Sequence, residues 1–233
     1  MIAYHRPDTL AEALALRARV DVMPIAGGTD VYPAKVARAA WGDMRHKDVL
    51  DLSGLSELRG ITEADAHWRI GALVTWSELM RAALPACFDG LKQAAAQVGG
   101  VQIQNRGTLA GNICTASPAG DGAPNLLALD AEIEIAGPAG LRRVPMQAFI
   151  DGYRHTLCGA QEIVTAILVP KQPDRAVGGF LKLGARRYLV ISIAMVAGVL
   201  GCDAQGRIAH ARIAVGACAA TPQRLIALED ALI

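Results

Sequence analysis

An apolar run from Val22 to Ala26 stops at Gly27-Gly28-Thr29-Asp30, and a helical stretch through Lys35 and Ala39 follows. A strand that ends in paired glycines and restarts as a helix is an αβ unit whose turn exposes main-chain N–H groups. Paired glycines let the backbone adopt φ > 0 and approach an anion. Thr29 adds a hydroxyl, and the start of the helix adds partial positive charge. The same four residues also suffice for a plain strand-to-helix turn, so the loop alone does not fix a ligand. Neither GxGxxG nor GxxxxGK[ST] occurs anywhere in the chain, so no nicotinamide or P-loop fingerprint competes with this reading.

The elements around the loop follow from periodicity. Thr9 is the expected N-cap of a helix over Leu10 to Val20, and Val49 to Leu52 reads as a strand before a turn at Ser53-Gly54. From about Leu58 the texture becomes sheet-rich, with strands at Trp68 to Leu73 and Ala131 to Ile135. Between these lie helices at Trp76 to Ala83 and Gly90 to Val98, the second ended by Gly99-Gly100. Glu162 to Pro170 is a strand, and the two prolines of Pro170 to Asp174 mark a linker. A final unit starts near Gly179 and contains the longest apolar stretch, Leu189 to Cys202. It is shorter than the roughly 20 residues of a membrane-spanning helix, and it reads as a buried core element. A turn at Asp203 to Gly206, a strand at Ala211 to Gly216 and a helix start near Pro222 complete the chain. The expected units are 1–56, 57–172 and 175–233.

Composition removes whole classes of function. With 52% hydrophobic and 19% charged residues the chain buries enough apolar surface to fold. A net charge of +1 and no basic run argue against nucleic-acid or acidic-membrane partners. The five cysteines are scattered, without a CxxC pair, which fits reduced thiols and leaves any metal to other polypeptides. The N-terminus shows no signal-peptide pattern, so a cytoplasmic location is expected. The five histidines have no i, i+4 pairing, and no GxSxG elbow is present. Trp41, Trp68 and Trp76 read as core or interface anchors.

A second segment, Asn105 to Asp121, is rich in glycines, hydroxyls and small side chains and has little capacity to form a core. It reads as a long loop, ordered by a ligand rich in phosphate and ribose hydroxyls or else lying on the surface. Together with AGGTD, the stretch RGTLAGNICTASPAGD, then Gly152-Tyr153-Arg154 and Lys182-Leu183-Gly184-Ala185-Arg186-Arg187, resembles the FAD-binding subunit of the xanthine dehydrogenase and carbon monoxide dehydrogenase (molybdenum hydroxylase) family. Tyr4-His5-Arg6-Pro7, Ile70-Gly71-Ala72 and Gly216-Ala217-Cys218 extend the similarity over nearly the whole chain.

That resemblance implies an α+β fold: a two-subdomain FAD-binding fold of the vanillyl-alcohol oxidase type, plus a C-terminal αβ domain that is incomplete over 175–233. It implies that Ile25, Ala26, Gly27, Gly28, Thr29, Asp30 and Val31, with Thr108, Ala110, Gly111 and Asn112, wrap the FAD diphosphate. It further implies a hydroxyl and a carboxylate at Thr115 and Asp121, an aliphatic contact at Ile163 or Val164, and Lys182 near the isoalloxazine, where it tunes the flavin. The implied partners are a large molybdopterin subunit, a small [2Fe–2S] subunit and an electron acceptor such as NAD, a quinone or O2, in an (αβγ)2 assembly. A stand-alone flavin oxidoreductase and a scaffold that has lost FAD remain the alternatives. Arg186-Arg187 is either a solvated turn or a source of positive field at the flavin. One departure stands out: the family writes TxGGN where this chain has Thr108-Leu109-Ala110-Gly111-Asn112, and a methyl at Ala110 is tolerated only at φ < 0.

Overall fold

The computed structural model describes residues 3–40 and 47–233; Trp41 and His46 lie outside these. The first unit contains β1 (Tyr4–His5), α1 (Leu10–Arg19), β2 (Val22–Ile25), α2 (Val31–Ala40) and β3 (Asp48–Asp51). Thr9 caps α1 by accepting from the Glu12 N–H at 3.2 Å, as the sequence predicts. The sheet order is β1-β3-β2 with both pairings parallel, so the loops after His5, Ile25 and Asp51 emerge along one rim. In open parallel sheets this carboxyl rim is where ligands sit.

The second unit begins with β4 (Ile61–Glu63), β5 (His67–Gly71), α3 (Trp76–Arg81), α4 (Asp89–Gln97), α5 (Val101–Gln104), α6 (Leu109–Thr115) and α7 (Gly122–Ala128). It continues with β6 (Glu132–Gly137), β7 (Gly140–Pro145), α8 (Met146–Phe149), β8 (Ile150–Gly152), β9 (His155–Thr156) and β10 (Ile163–Pro170). Its five-stranded sheet runs β4-β5-β10-β6-β7, and β10 at its centre is buried on both faces from Ile163 to Val169. That explains why Ile163 to Val169 is an almost continuous apolar run rather than an alternating one. A capping box of Thr75 and Glu78 starts α3, and Gly99 at φ 56 lets the chain turn out of α4. Trp76 is fully buried, and Trp68 meets Phe88 edge-on with centroids 6.1 Å apart.

The third unit is an antiparallel sheet of β11 (Val177–Leu183), β12 (Ala194–Cys202), β13 (Ile208–Gly216) and β14 (Gln223–Arg224), followed by α9 (Ile226–Leu232). Phe180, Met195, Ala197, Val199 and Ala214 point inward onto a core that is continuous with that of the other two units. Two expectations fail here. Leu189 to Cys202 is not one buried element: Leu189, Ile191 and Ile193 lie in a loop and are 58%, 78% and 58% exposed, and only the β12 part alternates inward and outward. Mean hydropathy does not distinguish a strand from a loop whose apolar side chains face out. The helix expected near Pro222 is preceded by β14, because the N–H and C=O groups of Gln223 and Arg224 extend the β13 ladder first.

Ion pairs at Asp130 fasten this sheet to the second unit. Arg224 binds Glu229 through two 2.6 Å contacts and also reaches Asp130, beyond the end of α7, at 2.6 Å. Arg212 reaches the other Asp130 oxygen at 2.8 Å. Burial raises the affinity of Glu229 for its proton, but the Arg224 bonds and the Ile213 N–H outweigh it and hold the carboxyl below its ordinary 4.5. The pair therefore contributes its full stability above about pH 4.5 and loses it as pH falls further. Glu229→Gln is expected to cost about 2 kcal/mol at pH 7, with the gap between wild-type and variant melting temperatures closing on acidification below pH 4.5. A pH-independent gap would show that the charge is not what matters.

Candidate functional site

The glycine loop sits on the carboxyl rim, between β2 and α2. Gly28 takes φ 71. A β-carbon on Gly27 would lie 1.8 Å from the Arg106 carbonyl oxygen, so the two segments that carry the sequence motifs touch main chain to main chain. Tyr32 and Ala34 donate back to the carbonyls of Gly28 and Asp30, starting the helix. Among the described residues the N–H groups of Gly27, Gly28, Thr29 and Asp30 donate to no protein acceptor. A row of unpaired donors at the head of a ten-residue helix fits a diphosphate. Across from the loop, Arg154 lies 3.5 Å from Asp30, and its own N–H donates to Ala116 at 3.0 Å.

The second motif is not the long loop that its composition suggests. Thr108 caps α6, its hydroxyl accepting from the Gly111 N–H at 2.9 Å, and Leu109, Ala110 and Ile113 are buried in the core. Low intrinsic propensity is overridden by tertiary packing. Ala110 is helical, with φ < 0, and its methyl points into the core, so the departure from TxGGN causes no backbone strain. Asn112 turns its side-chain oxygen to the Gly122 N–H at 3.1 Å, which leaves its amide nitrogen for another partner. The helix ends at Ala116 in the left-handed region (φ 47), a position that ordinarily favours glycine or asparagine.

Next to α7, Asp121 gathers two donors from the third unit. Lys182 on β11 reaches one carboxylate oxygen at 2.6 Å and Ser192, in the loop before β12, reaches the other at 2.6 Å. The Lys182 and Asp121 side chains are 6% and 5% exposed. This joins Asp121 and Lys182 and adds Ser192, which sequence reasoning missed. Its one trace in the sequence is a hydroxyl set between Ile191 and Ile193. Lys182 and Ser192 stand at the two ends of one loop, closed at its base by the Ile193 N–H donating to the Leu183 carbonyl at 2.8 Å.

The remaining expected residues scatter around this axis. Thr115 is half-buried at the end of α6, and Ile163 and Val164 are buried at the start of β10. Arg186 donates to the Leu189 carbonyl of its own loop and Arg187 lies over the Tyr188 ring, both exposed, which is the solvated-turn arrangement. Among the described residues, no three His, Cys, Asp or Glu side chains group as a metal site, and no helix is long and apolar enough to cross a membrane.

Residues 1–172 match the family described as the FAD binding domain in molybdopterin dehydrogenase. The chain is 35% identical to a xanthine dehydrogenase FAD-binding subunit of Escherichia coli O157:H7, over 95% of this chain and 76% of that protein. It is 34% identical to the nicotinate dehydrogenase FAD-subunit of Eubacterium barkeri, over 82% and 65%. A solved structure of carbon monoxide dehydrogenase from Hydrogenophaga pseudoflava superposes with a TM-score of 0.92 at 30% identity, covering all of this chain and 80% of that one. With the unpaired N–H row, the buried Asp121–Lys182 pair and these likenesses together, the chain belongs to the FAD-binding subunits of the molybdenum hydroxylase family, the flavoprotein components of oxidoreductases.

Proposed function

We propose that this chain is the electron-exit subunit of a three-subunit molybdenum hydroxylase. In this reading a large molybdopterin subunit oxidises the substrate, and a small subunit delivers electrons singly from its [2Fe–2S] clusters. They leave through this chain to NAD, a quinone or O2. Assembly as (αβγ)2 in the cytoplasm belongs to the same reading, as do two FAD-gripping subdomains at 1–56 and 57–172. When bound, FAD supplies the capacity to take up electrons one at a time and release two.

The chain's own residues bind and orient. Ile25 to Val31 present the unpaired N–H groups to the diphosphate, with Thr108, Ala110, Gly111 and Asn112 as the facing wall. Thr115 offers a hydroxyl, and Ile163 or Val164 an aliphatic surface. Asp121, fixed by two donors, keeps lone pairs for a ligand hydroxyl, and Lys182 holds positive charge where reduced flavin gains negative charge. The observation that carries the reading is an anion cradle at the head of α2 together with a buried lysine–carboxylate pair that joins β11 to the start of α7. Purified with its partners, the chain is expected to show a flavin spectrum at about one FAD per chain, with molybdenum and iron in the same complex. A folded, colourless complex that cannot be reconstituted with FAD would overturn the reading. Steady turnover by the isolated chain would point to a stand-alone oxidoreductase instead.

A further inference from the structure

The carboxyl rim of the three parallel strands opens into a second hollow of about 490 Å3, between the loops after β1 and β3 and the start of α3. It shares Ala26, Gly27, Arg106 and Thr108 with the site described above; Asp121, Lys182, Ser192 and Asn112 do not line it. Four arginines do: Arg6, Arg59, Arg81 and Arg106.

The hydrogen-bonding balance of this hollow is one-sided. Its one carboxylate, Glu78, folds back onto Thr75, accepting from the backbone N–H at 2.7 Å and the hydroxyl at 2.8 Å. Ser77 donates to the Asn105 side-chain oxygen at 2.6 Å, which turns the Asn105 amide nitrogen free. Arg59 makes one bond, to the Ser53 carbonyl, and Arg6 stands 3.7 Å from an Asp51 carboxylate already taken by Tyr4 and Ser53. Among the described residues the Arg81 and Arg106 side chains have no hydrogen-bonding or ionic partner. The four guanidinium groups are exposed, their nearby protein acceptors are committed, and a ligand that pairs with them in place of water brings acceptors and negative charge. Apolar lining is limited to Leu73 and Ala26, with no aromatic ring to stack a base.

We propose that this hollow is a second anion site that takes a small polyphosphate, separate from the FAD cleft. The planar guanidinium forks suit phosphate oxygens, and the volume exceeds what a single phosphate needs. Gly27 and Arg106, in main-chain contact with each other, both line the hollow, which places it beside the diphosphate cradle.

The test is calorimetric titration of inorganic pyrophosphate into the full chain, with and without FAD, beside sodium chloride and sulfate arms at matched ionic strength and an ADP arm. Saturable pyrophosphate binding that survives FAD loading is expected. It should weaken about tenfold in Arg81→Gln and about a hundredfold in Arg59→Gln combined with Arg81→Gln. Flavin content should not change in either variant. No saturable binding overturns the proposal, as does binding that sulfate reproduces or that the arginine variants leave untouched. FAD released in step with pyrophosphate uptake would place the anion in the FAD cleft, and ADP binding more than about tenfold tighter would show a base subsite; either result overturns it.

Discussion

Gly27→Ala is expected to cost about 3 kcal/mol or more and to strip FAD from the purified protein. The added carbon would stand 1.8 Å from the Arg106 oxygen and 2.5 Å from its carbonyl carbon, main-chain atoms with no rotamer to escape into. The loops must part, and the row of N–H donors is displaced with them. Gly28→Ala is the contrasting case. Its new methyl meets the Tyr32 ring, which can turn aside, so the cost comes mainly from holding alanine at φ 71 and is about 1–2 kcal/mol. Thermal melts and flavin absorbance on both variants would separate the effects. Equal losses at the two positions would show that the contact between the two motif segments is not what shapes the cradle.

Asp121→Ala is expected to destabilise by about 3–5 kcal/mol, because it leaves the Lys182 ammonium buried without its counter-charge. Adding Lys182→Met to Asp121→Leu removes both charges at once and should recover most of that stability. Flavin should bind to neither variant, since the recovered fold lacks the carboxylate and the cation. Ser192→Ala, which deletes one donor to the same carboxylate, should be milder at about 1–3 kcal/mol. Denaturant melts give the stability and fluorescence quenching gives FAD affinity. Full FAD affinity in the double variant would show that the ion pair is structural and lies outside the cofactor site.

Much of this architecture could be read along the chain. The strand before Gly27, the Thr9 cap and the buried strand ending at Pro170 fall within about a residue of their expected bounds, because each has a strong local cause in apolar pattern, cap or proline. α6 was hidden because Leu109 to Thr115 mixes glycine, threonine and asparagine, and only its contacts with the core make it helical. The exposed apolar loop before β12 was hidden for the opposite reason, since its side chains are as hydrophobic as those of a core strand. Asp121 and Lys182 were legible through resemblance. Ser192 and the four arginines of the second hollow were not, as each is an ordinary surface residue in sequence and acquires its neighbours only from the fold.

The seven-residue helix α7 has an aspartate beside each end, Asp121 before it and Asp130 after it. Asp121 takes a lysine from β11 and Asp130 takes an arginine from β14, the two opposite edges of the same sheet. Beside the shared apolar core, two attachments at opposite margins hold the heading of the sheet more tightly than one would. The helix thus works as a two-pin key. A lesion at the Asp130 pin, at the opposite edge of the sheet from Lys182, would loosen that margin and, through the sheet, the alignment of Lys182 with Asp121.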